Sequence, residues 1–370
     1  MVKAVDQSRI LVQNLLSQKN FNGKDNFADS PWIYCTVNNF GGQHLLRGNA
    51  ERSLKDPFFA LDKDKYTCLG LGYIPESTET DEIFFDIVSR VGMRDTPIDF
   101  EVYLKEFLKE RYGFVNEEIY KAWKMLCDYT YDSDDISSSG ESSFCCRPTP
   151  TADRVSTWGK TSVVRDHTAL KETIKILMKY YDALKSSEAY MYDLVDFTRQ
   201  LMANDSWKLV YGINQTFAEK DTEKFLELSD EFLHRFDLME NLLKTHSAFL
   251  LGNWLERAKK LGSDELEKSW LEWQARRIIT VWANKSGDEL HDYAAREYSG
   301  MISDFYKVRW ERYISALKIS LYTDSEVQLL DSYEVEAAFG LETKKFPTNT
   351  SGDTYLAVKS ILELENIGSV

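Results

Sequence analysis

The sequence lacks any uninterrupted apolar run of about 18 residues, the shortest run expected of a helix that crosses a bilayer. Residues 1–16 are also mixed, because Lys3, Asp6 and Arg9 interrupt their apolar side chains. A signal peptide would need a continuous apolar stretch near its centre. The sequence therefore predicts neither a transmembrane helix nor a signal peptide within this chain.

Positive charge is in deficit. The chain has 45 Lys and Arg against 60 Asp and Glu, which gives a formal net charge of −15 and a pI near 5.0. Nucleic acids and anionic membranes both attract clustered Lys and Arg side chains. We therefore expect neither nucleic acid nor a membrane as a partner.

Cysteine is also sparse and is not arranged as a metal site. The number of cysteines, five, is odd, so they cannot all pair in disulfides within the chain. Cys145 and Cys146 are adjacent in sequence and do not easily form a disulfide with each other. None of them has the Cys and His spacing of a zinc site. We expect no metal site and predict that the cysteines are structural, as buried free cysteines usually are. The full set is Cys35, Cys68, Cys127, Cys145 and Cys146.

The hydrophobic content of the chain indicates a folded protein, and its length allows about two domains. The chain has 370 residues, of which 43% are hydrophobic and 13% aromatic. Residues 1–86 mix strand-like runs at 32–37 and 67–73 with polar loops, whereas helical periodicity starts at Glu82. We predict a small α/β segment at 1–86 and an α-helical domain at 87–370, with a long loop at about 132–161.

Apolar side chains recur every three or four residues through most of the second segment. Leu170, Ile174, Leu177, Tyr181 and Leu184 form one such stripe, and similar stripes follow along the chain. Amphipathic helices with short connections pack as a bundle. The expected fold class is therefore mainly α, with a C-terminal helical bundle that ends in a helix capped by Gly352–Asp353.

Two short motifs carry the chemical signal. The first strand-like run ends in Asn-Phe-Gly-Gly-Gln-His, from Asn39 to His44, and the second ends in Pro75-Glu76. Taken alone, these residues are also compatible with a tight glycine turn, a structural histidine and a carboxylate that caps the next helix. The functional alternative is a pair of strand ends that present polar groups to a ligand.

The residues of both motifs, and their order in the chain, resemble those of the α-N-acetylglucosaminidase family of glycoside hydrolases. The resemblance covers roughly residues 25–365 and only the C-terminal half of the family. It implies that residues 1–86 are a remnant of a (β/α)8-type barrel, holding its last strands. Further family landmarks lie at 193–200, 245–246, 249–254, 275–276, 280–282, 292–294, 306–310 and 352–353.

The resemblance also implies roles for individual residues. Glu76 corresponds to the catalytic nucleophile, and Asn39, His44, Trp32 and Trp282 correspond to substrate-binding residues. The implied reaction is removal of a terminal α-linked N-acetylglucosamine by retaining double displacement, without a cofactor. Such a reaction uses two carboxyl groups about 5 Å apart. The general acid corresponds to no residue of this chain, so we expect the chain to be catalytically incomplete alone.

An incomplete barrel implies a partner. The strands near Trp32 and Leu69 are expected to present open edges, which invite pairing with another strand. The predicted partner is an N-terminal, barrel-containing segment or chain. The alternative function, from a different class, is a non-catalytic helical scaffold or interaction module derived from the family. If the protein follows its family, it is lysosomal or secreted.

Three departures from the family pattern favour reduced or altered activity. Ser77 follows the predicted nucleophile where the family usually has glycine. Asp81 stands in place of a common asparagine, and Asn38 in place of a frequent histidine. A side chain at position 77 restricts the backbone, because glycine reaches conformations that serine avoids.

Overall fold

The computed structural model describes residues 5–20, 27–62, 65–77, 82–133, 141–156, 159–162, 167–282, 289–329 and 331–367. The chain divides into two compact units, Met1–Ser138 and Ser139–Val370. The first unit therefore includes helices beyond residue 86, and the boundary at 86–87 stays a prediction.

The first unit contains a parallel sheet of three strands in the order β1–β2–β4. In the register, Trp32 lies opposite Val12 on one side and Cys68 on the other. The sequence predicted β2 and β4 but not β1, because a strand of three residues is too short to show alternation. The strands are β1 (Val12–Asn14), β2 (Trp32–Thr36), β3 (Gly48–Asn49), β4 (Cys68–Tyr73) and β5 (Asp132–Ser133), with β3 and β5 antiparallel to each other.

The sheet is held by an apolar cluster on one of its faces. Trp32, Tyr34, Ala60 and Cys68 form the buried part of this cluster, and Leu71 packs against it. The helices of the first unit lie between the strands and after them along the chain. They are α1 (Ser17–Asn20), α2 (Ala50–Ser53), α3 (Asp56–Ala60), α4 (Glu82–Gly92), α5 (Phe100–Tyr112) and α6 (Glu117–Tyr129).

The second unit is helical in its described residues. Its longest helix, α9, packs along α10, and both begin at side-chain caps, Ser187 and Asp221. The helices are α7 (Thr168–Lys179), α8 (Tyr181–Leu184), α9 (Glu188–Ala218), α10 (Thr222–Leu243), α11 (Leu251–Lys259), α12 (Glu265–Ile278), α13 (Lys307–Thr323), α14 (Ser332–Leu341) and α15 (Thr354–Ile367).

The predicted cap of the last helix is present. The Asp353 side chain accepts a hydrogen bond of 3.0 Å from the backbone N–H of Leu356. Part of the predicted loop at 132–161 is packed rather than open. Phe144 has no exposed surface and stacks on Phe232 with ring centroids 5.5 Å apart. An aromatic anchor therefore fixes this segment to α10.

The fold class predicted from the sequence is confirmed: a mainly α chain with a small α/β segment before a helical bundle. Among the residues that the structure describes, no helix is long and apolar enough to cross a membrane. The same residues hold no cluster of His, Cys, Asp or Glu that could bind a metal. All five cysteines are buried and free of disulfides, as a structural role requires.

Candidate functional site

The two motifs meet because their strands are parallel neighbours. β2 ends at Thr36 and β4 ends at Tyr73, and these two residues lie opposite each other in the register. One further hydrogen bond, of 3.0 Å, joins the N–H of Ile74 to the carbonyl of Thr36. The carboxyl ends of both strands therefore lie at one edge of the sheet. In barrels of this type, the active site lies at that edge.

A left-handed turn forms at the end of the first motif. Gly41 and Gly42 have φ values of +58° and +75°, a region that residues with a side chain rarely adopt. The turn closes with a hydrogen bond of 3.1 Å from the N–H of Gln43 to the carbonyl of Phe40. This conformation directs the N–H of Gly41 at Glu76. The N–H donates a hydrogen bond of 2.7 Å to Oε2 of Glu76. The predicted catalytic carboxylate is exposed and lies on the glycine turn.

Asn39 makes a second connection between the same two loops. Its side chain is fully buried, and Nδ2 donates a hydrogen bond of 3.1 Å to the carbonyl of Ser77. The N–H of Gly41 therefore holds the Glu76 side chain, and the amide of Asn39 holds the backbone of the next residue, Ser77. Asn39 was predicted to contact the ligand, and in this structure its Nδ2 supports the loop that carries Glu76.

Two other predicted binding residues of the first unit, His44 and Trp32, are also buried. His44 is buried, two residues beyond Gly42. Trp32 has no exposed surface and packs 5.4 Å from Phe27 and 6.5 Å from Tyr34, measured between ring centroids. Trp32 thus packs on the apolar face of the sheet. Its predicted contact with a substrate stays a prediction. Asp81 lies outside the described residues.

Sequence reasoning missed the interaction of Arg47 with Asn38. Arg47 Nε donates to the carbonyl of Asn38, and Asn38 Nδ2 donates back to the carbonyl of Arg47 at 3.4 Å. The Arg47 guanidinium also lies 5.2 Å from the centre of the Phe40 ring. The only sequence signal for this arginine is its position three residues after His44. It orders the backbone before the glycine turn.

Trp282 lies in the second unit, where it follows α12 and is 41% exposed. Its ring is tilted against Tyr293 with centroids 4.9 Å apart. An exposed indole face that is supported by a second ring can stack on an apolar or sugar surface. The exposure of Trp282 contrasts with Trp310 of the same unit, which has no exposed surface.

The arginines that resemble family positions are engaged in buried ion pairs. Arg199 binds Asp196 at 2.8 Å and also binds Glu297, and it has no exposed surface. Burial raises the pKa of Glu297 even though Arg199 opposes the shift. Arg309 similarly binds Asp292. These groups stabilise the helical unit from within and offer no free charge to a ligand.

Glu76 supplies an accessible carboxylate at the edge of the sheet. Glu76 can act as a nucleophile or as a base, because its side chain is exposed and one oxygen is fixed by a backbone donor. The motif residues that the structure brings together are Asn39, Gly41 and Glu76, all in the first unit.

Comparison with known proteins points to one family. Residues 1–95 match the model of the α-N-acetylglucosaminidase (NAGLU) TIM-barrel domain, and residues 103–364 match that of the NAGLU C-terminal domain. Human α-N-acetylglucosaminidase is 27% identical over 366 residues, which is 97% of this chain and 48% of the human protein.

Solved structures of a relative agree. A family 89 glycoside hydrolase from Clostridium perfringens, in complex with its substrate GlcNAc-alpha-1,4-galactose, is 28% identical with a TM-score of 0.90. The match covers 97% of this chain and 42% of that protein. The same enzyme in complex with PUGNAc gives 29% identity and a TM-score of 0.88 over 95% of this chain and 41% of that one. The chain thus spans about half the length of the relatives that it matches. On both domain matches, the chain belongs to the α-N-acetylglucosaminidase family of glycoside hydrolases.

Proposed function

We propose that this chain contributes to an exo-acting α-N-acetylglucosaminidase, with Glu76 as the catalytic nucleophile. The observation that carries the proposal is the hydrogen bond of 2.7 Å from Gly41 to Glu76 at the carboxyl edge of parallel strands. The family membership adds the substrate class, because a relative binds GlcNAc-alpha-1,4-galactose as its substrate. The substrate proposed here is a glycan with a terminal α-linked N-acetylglucosamine.

The proposed reaction is a double displacement. Glu76 attacks the anomeric carbon while a general acid protonates the departing glycosidic oxygen, and a covalent glycosyl-enzyme ester forms. Water then attacks the same carbon, the acid residue now acts as a base, and the sugar leaves with its anomeric configuration retained. Gly41 would hold Oε2 throughout, which leaves the carboxylate oriented by the backbone rather than by a flexible side chain. No cofactor takes part.

The remaining substrate contacts are proposed from the family resemblance. His44 would donate or accept a hydrogen bond with a sugar hydroxyl, and Trp282 would stack its exposed face on a pyranose ring. Asn39 would act mainly through the loop that it supports. Trp32 is buried and serves the site by packing.

We also propose that the general acid and the missing strands come from a barrel-containing segment outside this sequence. The three-stranded sheet supports this idea, because β1 and β4 are its outer strands. β2 is central, so the expectation of an open edge at Trp32 was wrong, whereas Leu69 of β4 is 70% exposed. Edge strands of this kind pair readily with a further strand.

The test is hydrolysis of 4-nitrophenyl α-N-acetylglucosaminide by this chain alone and after mixing with the N-terminal half of a family member. We expect turnover in the mixture, and Glu76→Gln should abolish it. Glu51→Gln is the matched control, because Glu51 is an exposed carboxylate paired with Lys55 on the surface of the same unit. Absence of turnover in every preparation would favour the alternative, a non-catalytic helical scaffold.

A further inference from the structure

Trp282, which carries the exposed indole, and Asp292 both have a strained backbone. Trp282 has φ of +52° and Asp292 has φ of +56°, although neither is glycine. A bulky residue in this region is uncommon and persists only where its surroundings fix it. Strained residues also concentrate at functional sites. The two positions therefore call for a physical cause.

Backbone hydrogen bonds connect both strained residues to the chain at and just after the end of α12. The N–H of Trp282 donates to the carbonyl of Arg277 at 3.0 Å, at the end of α12. The N–H of Asp292 donates to the carbonyl of Thr280 at 2.7 Å. Asp292 is thus attached two residues before the indole, and its neighbour Tyr293 supports the ring of Trp282.

The side chain of Asp292 is buried and held by charged partners. It has no exposed surface, and Arg309 Nη1 approaches its two oxygens at 2.9 and 3.2 Å. His291 Nδ1 lies 2.9 Å from Oδ2. Burial works against ionisation, but Arg309 and then His291 hold the pKa of Asp292 below its usual value. The carboxylate is therefore charged and anchored.

Arg309 is itself fixed, so the anchor is rigid. Its Nη1 binds Glu336 at 2.9 Å, and its Nη2 donates to the carbonyl of Cys145 at 2.7 Å. Arg147 reaches the same Glu336 through two hydrogen bonds of 2.8 and 2.6 Å. Helix α14 and the segment around Cys145 thus both bind Arg309 of α13, the residue that pairs with Asp292.

We infer that Asp292 is a positioning residue, which uses its ion pair with Arg309 to hold Trp282 in a ligand-ready orientation. The inference rests on the proposed function for the identity of the ligand, a pyranose ring. Asp292 is buried and touches no substrate. It acts through the hydrogen bond to Thr280 and through Tyr293, and so preorganises the aromatic surface before a sugar arrives.

The test uses the full chain labelled with 5-fluorotryptophan and observed by fluorine NMR. The chain has nine tryptophans, and the signal of Trp282 is assigned by its loss in Trp282→Phe. In Asp292→Asn, which keeps the shape of the side chain, we expect the Trp282 signal to shift and broaden. Asp237→Asn is the matched control, because Asp237 is an exposed carboxylate paired with Lys307. It should leave the Trp282 signal in place.

A second variant covers the case in which Asp292→Asn does not fold. His291→Ala removes one partner of Asp292 from a partly exposed position and should move the Trp282 signal less, in the same direction. An unchanged Trp282 signal in every folded variant of this pair would overturn the inference.

The ligand is tested separately, by titration with methyl α-N-acetylglucosaminide in the presence of the N-terminal half. In the unmodified chain the Trp282 signal should respond, and Asp292→Asn should weaken binding about tenfold, as expected when one stacked ring is misoriented. If Trp282 responds to Asp292→Asn but not to the sugar, the positioning role stands and the sugar-binding role of Trp282 falls.

Discussion

The backbone N–H of Gly41 donates a hydrogen bond of 2.7 Å to the carboxylate of Glu76, across 35 positions of sequence. The left-handed conformation of Gly41 makes this geometry possible. A backbone donor cannot change rotamer, so it fixes the carboxylate at little entropic cost. This contact links the fold of the sheet edge to the proposed chemistry.

Gly41→Ala should impair turnover in the complemented mixture by about ten- to a hundredfold, because small displacements of a reacting group cost that much. The cause is the added Cβ, which opposes a φ of +58° and moves the N–H away from Glu76. The control is Gly113→Ala, a left-handed glycine at the end of α5 with open space around it. It should lower stability similarly and leave turnover intact. Equal rates for both variants would contradict the role of Gly41.

Asn39→Ala should lower the free energy of unfolding by about 1 kcal/mol, because it removes the side-chain donor to the partly buried carbonyl of Ser77. Urea denaturation followed by circular dichroism measures the change. Asn241→Ala is the control, since Asn241 bonds only to the exposed Lys244 in its described contacts and should change stability by less than about 0.5 kcal/mol. If Asn39→Ala lowered the free energy of unfolding by no more than Asn241→Ala, the hydrogen bond from Asn39 to Ser77 would not stabilise the loop.

Arg199→Met should destabilise the helical unit by about 3–5 kcal/mol, because it strands the buried carboxylates of Asp196 and Glu297 without their cation. Lys224→Met removes one partner of an exposed pair with Glu227 and should cost about 1 kcal/mol or less. Thermal or urea unfolding of both variants measures the difference. Equal losses would mean that Arg199 is not the main compensation for these charges.

His246 should make stability depend on pH. Its pKa is lowered, chiefly by burial, although the nearby Glu188 opposes the shift. The unfolded chain therefore binds a proton more readily at His246 than the native state does. The contribution of neutral His246 to the free energy of unfolding is complete above the usual pKa of 6.5 and is lost as the pH falls below that value. His246→Asn, which retains an acceptor for the N–H of Ala248, should flatten the fall in stability between about pH 7.5 and 5.5. An unchanged slope in urea unfolding would contradict this assignment.

Much of the fold followed from local patterns. The run at 32–37 predicted β2, and apolar spacing predicted a helical start at Glu82, where α4 begins. The cap at Asp353 followed from residue type alone. β1 escaped detection because it is too short for alternation to be visible, and its place in the sheet depends on pairing with β2.

The site was predictable only in part. The motifs gave the turn and the carboxylate, and parallel pairing explains why they lie together. The direction of individual groups was not encoded locally: Trp32 faces the apolar cluster of the sheet, and the Asn39 amide faces Ser77. The contact between Asp292 and Arg309 joins residues 17 positions apart through tertiary packing, which periodicity does not reveal.

The most direct measurement is mass spectrometry of the complemented mixture after treatment with 5-fluoro-α-N-acetylglucosaminyl fluoride, which slows release of a covalent intermediate. If Glu76 is the nucleophile, one fluorinated sugar will be attached to the peptide that contains Glu76, at Glu76 itself. A mixture that turns over substrate while the label lies on another carboxylate, or on none, would contradict Glu76 as the nucleophile.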